Sequence, residues 1–450
     1  MKRFIKPLVF LLALSLIIIP INPTVSYAAD DDIVVEINKE NFPDPVFRNF
    51  LLNGSHYVWD EDDNQIEVVY DANKDGFLSE GEIANMKQLL TAETYIKDLK
   101  GVEYLTSLIE IDCQRSSLNY MDLTSNTELL ILNCYKCDLK GALDLSKNTK
   151  LEGAACHNNR ELTSIDVSGC TELTSLTCDS TGVTELDLSN NPKLQSVSFA
   201  DTGMTKIDLR NNPELAMISA YNTDITHLDL SANPKLEFLD ASNCKLGFLD
   251  LSANPNMLYL NLSNNPLGWV NIGNNPSLEF YIDDSTISIE VPADSFDMTK
   301  YIPGIDTEKV SIVSGASLQG NIVSDYSFDT PIVYTYDCGT SSAGAEVLTV
   351  TAVLTQAQSD DTETEVAPPA KNPEDQQTQD DSDKKASDKK ANKNSAKKSA
   401  KKSDKSTDKK AKTSAKNPKT GDESNLTLWV ILFILTGSIL AAALIKRRRS

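Results

Sequence analysis

From residue 96 to residue 284 the apolar positions of the chain repeat with a period near twenty. The marker is Asp-Leu or a close variant, at Asp122, Asp144, Asp166, Asp187, Asp208, Asp229 and Asp250, with Asn271 in the same place of an eighth unit. Successive markers lie 22, 22, 21, 21, 21, 21 and 21 residues apart. One clean unit, Asn233 to Ala253, reads NPKLEFLDASNCKLGFLDLSA and carries the frame L-x-x-L-x-apolar-x-x-N/C-x-L. A unit this short cannot bury its own apolar face, so the copies must stack and share one core. The segment Asp-Leu-Ser-x-Asn-Pro supplies the turn, which Asn and Pro favour.

The flanks follow other patterns. In residues 30–95, the run beginning Asn41-Phe42-Pro43-Asp44-Pro45 reads as a capped helix start, with a proline in its first turn and apolar residues at 46, 47, 50 and 51. A second amphipathic stretch runs from Glu80 to Leu90. Residues 285–356 lose the period and gain strand-like runs at 287–291, 310–313, 331–336 and 346–354, separated by Gly, Ser and Asp turns. They predict a small β-rich domain over the open end of the stack. Residues 357–383 then hold nine acids and one lysine, and 384–416 fourteen lysines and three acids. Neither half can bury enough apolar surface to fold, so 357–416 is expected to be a disordered charged linker. Sixty such residues span ~40 Å as a flexible chain.

The sustained period resembles that of bacterial leucine-rich-repeat proteins over residues 96–284. The resemblance implies an α/β-type solenoid, mostly β with short coils, whose strands line a concave face. Neighbours on a strand point to opposite sides. This places Tyr135, His157, Asp179, Tyr221, Phe238 and Tyr259 outward, among small polar residues. Tyr221, Phe238 and Tyr259 fall in successive repeats and are expected to form one aromatic stripe, the centre of a partner-binding surface that also takes in Tyr135 and His157. His157 and Asp179 are expected to be a polar rim. Exposed aromatics among small neighbours mark interaction hot spots; scattered surface rings are the competing reading.

The same frame disposes of the residues that look reactive. Cys113, Cys134, Cys156 and Cys178 share one inward slot, where later repeats place Phe199, Ala220, Ala241 and Leu262. Cys137 and Cys244 occupy the N/C slot, with Thr181, Thr202, Thr223 and Asn265. Free structural thiols are expected rather than disulfides. Cys156 and His157 are adjacent and therefore point apart, so they form no nucleophile–base pair. Only three histidines occur in 450 residues, and no common hydrolase or nucleotide-binding motif is present. No enzyme activity is expected.

One motif carries ligand chemistry. DANKDGFLSEGE, from Asp71 to Glu82, matches a twelve-residue calcium loop. Calcium takes six to eight oxygens, and the spacing offers them from Asp71, Asn73, Asp75, the Phe77 carbonyl, Ser79 and a bidentate Glu82, with Gly76 at the sharp bend. The loop resembles an EF-hand, which implies a small helical cap over residues 30–95 held by a structural Ca2+. The entering segment, Asn64 to Tyr70, is β-branched rather than clearly helical.

The ends say where the chain goes. MKRFIK, an apolar run, and Ser26-Tyr27-Ala28 define a secretory signal peptide over 1–28. At the other end, Asn417-Pro418-Lys419-Thr420-Gly421 precedes an apolar run from Leu426 to Ile445 and then Lys446-Arg447-Arg448-Arg449. The run is about 30 Å long as a helix, enough for a transmembrane helix. Residues 417–450 resemble the cell-wall sorting signals of Gram-positive surface proteins. The resemblance implies that a sortase cleaves between Thr420 and Gly421 and joins Thr420 to peptidoglycan, after transient membrane anchoring. The usual motif starts with Leu; Asn417 departs from it and leaves the sortase class open. Removing the +3 of the signal peptide, of 357–416 and of 417–450 from the total of −23 leaves −32 on residues 29–356. Such a surface repels nucleic acid and attracts cations. The expected function is adhesin-like: a wall-anchored surface protein that binds a protein or glycan through its concave face. The alternative is a passive structural component of the cell surface with no specific ligand.

Overall fold

Ten strands of three residues each build one parallel sheet in unbroken sequence order, and each strand belongs to one coil of the chain path. We number the coils by these strands, from coil 1 at Gln88–Leu90 to coil 10 at Glu279–Tyr281. The first positions run in register Gln88, Glu110, Ile131, Gly153, Ser175, Ser196, Met217, Phe238, Tyr259, Glu279. The middle residues of the first nine strands, among them Leu89, Leu132, Leu176, Ile218 and Leu260, are buried in the shared core, and Phe280 of the tenth is half-buried. The chain is a leucine-rich-repeat solenoid. The computed structural model describes residues 33–59 and 65–357. The signal peptide, the charged linker beyond Ala357, Thr420, Gly421 and the apolar run 426–445 lie outside the described residues. Among the described residues no helix is long and apolar enough to cross a membrane.

Each repeated polar residue has a backbone task. Asn126, Asn148, Asn191, Asn212, Asn233 and Asn254 are fully buried, and each donates through Nδ2 to two main-chain carbonyls. Asn233, for example, reaches the carbonyls of Leu209 (3.0 Å) and Asn212 (2.8 Å). The Asn of the turn motif is therefore a spine joining coil to coil, satisfying carbonyls that no strand can reach. In the one coil without it, Cys170 takes the slot and its thiol donates to the Leu145 carbonyl at 3.2 Å. The marker Asp stays at the surface and accepts from the amide two residues on, as Asp122 does from Thr124 and Asp250 from Ser252. On leaving each concave strand the chain passes through a left-handed residue: Arg115, Lys136, Asn158, Ser180, Asp201, Asn222, Asn243 and Asn264 all have φ between 53° and 61°. Asn tolerates that region best among these side chains, and it fills the position in three successive late coils.

The N-terminal cap is mixed rather than helical. It comprises β1 (Ile33–Glu36), α1 (Pro45–Asn53), a hairpin of β2 (Ser55–Trp59) and β3 (Gln65–Val69), β4 (Phe77–Ser79) and α2 (Glu80–Asn85). The side chain of Asp44 caps α1 by accepting from Val46 and Phe47, with Pro45 as its first residue. The expected amphipathic stretch 80–90 divides: α2 ends at Asn85, and Gln88–Leu90 is already the first concave strand. The solenoid thus begins eight residues before position 96, because Leu89 pairs with Ile111 and joins its core.

At the other end a five-stranded sheet is built on Ser285–Val291, Val310–Ser314, Ile332–Ser341 and Gly344–Gln356. It continues the stack: Gly273 and Asn274 pair in parallel with Gly339 and Thr340. Gly339 has φ 111°, and a Cβ there would lie 2.2 Å from the Gly273 carbonyl oxygen, so only glycine permits the approach. Tyr334 Oη donates to the Gly268 carbonyl, and Trp269 Nε1 to that of Pro303, both at 2.8 Å. This sheet packs on the end of the stack and leaves Phe280 of the last coil half-buried.

Candidate functional site

The concave face has two ring stacks with a floor of small residues between them. Phe238 and Tyr259 stack face to face at 4.6 Å with planes 6° apart, and Tyr281 follows at 5.5 Å, tilted by 44°. One coil spacing sets the first distance, because both rings occupy the same strand position. Tyr221 departs from the expected stripe. It lies four residues beyond Met217, the residue in register with Phe238, and so belongs to the row of Tyr135, His157, Asp179 and Ala200. A 21-residue period aligns equivalent positions only, and Tyr221 is not equivalent to Phe238. Tyr281, missed at the sequence level, is in register with Asn261 rather than Tyr259, yet its ring packs against Tyr259 and is 49% exposed.

At the other end of the face, Tyr135 and His157 stack at 4.4 Å with planes 10° apart. Burial, and to a lesser degree Lys136, lower the His157 pKa to about 4, so the ring is neutral at physiological pH. Cys156, its neighbour, points into the core and is fully buried. Between the stacks lie Gly153, Ala155, Ser175, Thr177, Ser196 and Ser198.

Asp179 is no rim residue. It is mostly buried at the end of this floor, accepting from Ser198 Oγ at 2.5 Å and from the Ala200 amide at 2.7 Å. Burial raises its pKa to about 6, against the pull of those two hydrogen bonds, and Asp201 adds further negative charge. The pattern of exposed and buried residues could not reveal this, because it depends on the neighbouring coil's Ser198 closing over the carboxylate.

The cysteines stack as the repeat frame requires. Cys113, Cys134, Cys156 and Cys178 occupy one slot in four successive coils, and all eight cysteines are buried and free. Cys137 and Cys244 tie their slot to the preceding coil, as Asn265 does: the thiols donate to the carbonyls of Cys113 (2.9 Å) and Ala220 (3.1 Å), whereas Thr223 Oγ1 donates to the Ala220 carbonyl of its own coil at 2.8 Å. Hydrogen bonding with Cys137, then burial, hold the Cys113 thiol well above its ordinary pKa. Protonated, buried sulfurs are poor nucleophiles.

The calcium-type loop folds as a tight polar turn, entered from strand β3 rather than from a helix. Asp71 is buried and accepts from the amides of Asp75 and Gly76. Asp75 accepts from Phe77, and Glu82 from Ala72, while Ser79 and Glu82 form a reciprocal cap on α2. Gly76, at φ 84°, makes the bend. Among the described residues no three His, Cys, Asp or Glu side chains already converge as a metal cage. The donors nevertheless fit a hard cation by type: burial raises the Asp71 pKa, and the nearby Glu82 and Asp75 carboxylates raise it further. β4, which carries Phe77 and Ser79, pairs with β1, so the loop is tied to the start of the cap.

No family model matches the chain. Among curated proteins, internalin J of Listeria monocytogenes is 29% identical over 118 residues, which is 24% of this chain and 13% of that protein. Among solved structures, the functional domain of InlJ from Listeria monocytogenes, described as including a cysteine ladder, has a TM-score of 0.24 at 20% identity, covering 70% of this chain and 98% of that one. Internalin C2 from the same species has a TM-score of 0.39 at 17% identity, covering 57% and 99%.

Proposed function

We propose that this chain is a cell-surface protein that binds a protein partner through the concave face of its repeats. The observation that carries the reading is the cluster Phe238–Tyr259–Tyr281. Three aromatic side chains stand on the solvent side of a sheet whose core is already complete beneath them, so the fold does not need them there. Face-to-face stacking leaves ring edges and hydroxyls outward rather than open ring faces. That arrangement suits protein side chains better than sugar rings, which would lie flat on an exposed face. The similarity to internalin J agrees with a surface role.

The test is a triple variant, Phe238→Ala, Tyr259→Ala and Tyr281→Ala, measured for affinity to a partner captured by the intact chain. Loss of about 2 kcal/mol or more per anchor is expected at a hot spot, with the melting temperature little changed. Unchanged affinity would move the site off this face, and the absence of any saturable partner would favour a passive structural role.

Two finer readings complete the proposal. Ca2+ in the Asp71–Glu82 loop would neutralise the acidic cluster and lock the cap over coil 1; its ligands would be Asp71, Asn73, Asp75, Phe77, Ser79 and Glu82. At an extracellular affinity of ~10⁻⁴–10⁻³ M, millimolar calcium should raise the melting temperature, and Asp71→Ala with Glu82→Ala should remove that rise. Export and sortase joining of Thr420 to peptidoglycan would place the solenoid at the cell surface. A muramidase-released fragment ending at Thr420 supports this, whereas detergent-extracted chain retaining 426–445 opposes it.

A further inference from the structure

We infer that the small-residue floor between the two ring stacks seats a cationic protein element of helix width, whose arginine or lysine pairs with Asp179. This rests on the concave face being the partner site. The floor is formed by Gly153, Ala155, Ser175, Thr177, Ser196 and Ser198, on three successive coils. It is bounded by Ile131 on one side and Met217 on the other, four strand spacings apart, or about 19 Å. An α-helix with its side chains is about 10–12 Å across. One helix laid along the strand direction therefore fits between the walls, and a bulky residue on the floor would lift it out.

Two polar groups of the floor are incompletely matched within the chain. Ser196 is 4% exposed and its hydroxyl has no hydrogen-bond partner, although it stands on the concave side of its strand, opposite the core-facing Val197. Asp179 is desolvated, yet it is held by the neutral Ser198 hydroxyl and Ala200 amide, and the charge that bears on it is another carboxylate, Asp201. A carboxylate taken out of water without a cation is unfavourable, and removal of the mismatch requires a positive group from outside. His157 cannot provide it, since burial keeps its ring neutral. The wider charge agrees, because residues 29–356 carry −32 and steer cationic surfaces toward the face.

The probe is an alanine-based helical peptide of about sixteen residues bearing two arginines one turn apart, with a glutamate counterpart. Binding to the purified full chain is read by fluorescence anisotropy at low ionic strength. The arginine helix should bind about tenfold or more tightly than the glutamate helix. Asp179→Asn keeps both hydrogen bonds available and should erase that difference. Ser219→Trp, which fills the edge of the floor from a half-buried position, should weaken binding of both the peptide and any captured partner. Arginine-helix binding that is absent, or unaltered by Asp179→Asn, overturns the inference. If Ser219→Trp still blocks the captured partner, that failure leaves the concave-face reading standing. If neither substitution affects the partner, both fall together.

Discussion

Replacing Asp179 by Asn should make the free protein more stable at neutral pH, against the usual direction for a buried hydrogen-bonded residue. Its carboxyl pKa is raised from 3.8 to about 6 in the folded chain. The shift of roughly 2 pKa units at 1.36 kcal/mol each means that keeping Asp179 ionised costs about 3 kcal/mol of folding free energy at pH 7. The hydrogen bonds from Ser198 and Ala200 are already contained in that figure, since they pull the pKa down. Asn can accept both and carries no charge, so a gain of about 2–3 kcal/mol is expected above pH 7. The sign fixes the pH window. Between pH ~4 and ~6 the folded protein binds a proton that the unfolded chain has released, so wild-type stability falls as pH rises through that range. The variant has no such slope, and the two proteins should converge near pH 4. Urea midpoints at half-unit steps from pH 4 to pH 8 give the comparison, with unchanged m-values as the check that the same surface unfolds. A variant equal to or weaker than wild type at pH 7.5, or a difference that does not vanish near pH 4, would refute the desolvation of Asp179. The same result would also remove the main support for a cationic partner.

Asn233→Leu removes two spine hydrogen bonds and leaves the Leu209 and Asn212 carbonyls unpaired. A loss of about 2–4 kcal/mol is expected in urea, and Asn233→Cys, copying Cys170, should recover part of it. All eight cysteines should resist a thiol reagent in the native protein and react after unfolding without reductant; fewer than eight would show a disulfide. His56 is buried against Tyr70 with both ring nitrogens unpartnered, and burial lowers its pKa from 6.5 to about 4. Its neutral form therefore supports the cap above pH 6.5, and about 3 kcal/mol should be lost as pH falls from there toward 4. Cap stability of His56→Phe, followed by hydrogen exchange, should lack that acid sensitivity.

What the sequence determined by itself follows from repetition. A period of 21 or 22 residues with one inward frame dictates stacking, the shared core, the inward sulfurs and the opposite orientations of Cys156 and His157. The loss of that period after residue 284 marks the change to strand runs, and Asp44-Pro45 marks the start of α1. Local pattern is less able to find where a repeat array begins. Gln88–Leu90 looked like the end of a helix until Leu89 was seen paired with Ile111 in the core. The helical cap likewise gave way to a hairpin, since the β-branched residues before Asp71 pair with Ser55–Trp59.

Only the tertiary structure decided what lies beside what across coils. Tyr221 looks like one of a series with Phe238 and Tyr259, yet strand register puts it in another row, while Tyr281, in register with Asn261, reaches Tyr259 from the following coil. The turn asparagines read as turn formers, and become a spine because each meets the carbonyls of the preceding coil. Asp179 read as a solvated rim charge, but Ser198 of the next coil closes over it. Each of these depends on a contact between residues about twenty apart in the chain, and burial and electrostatics arise from such contacts rather than from composition.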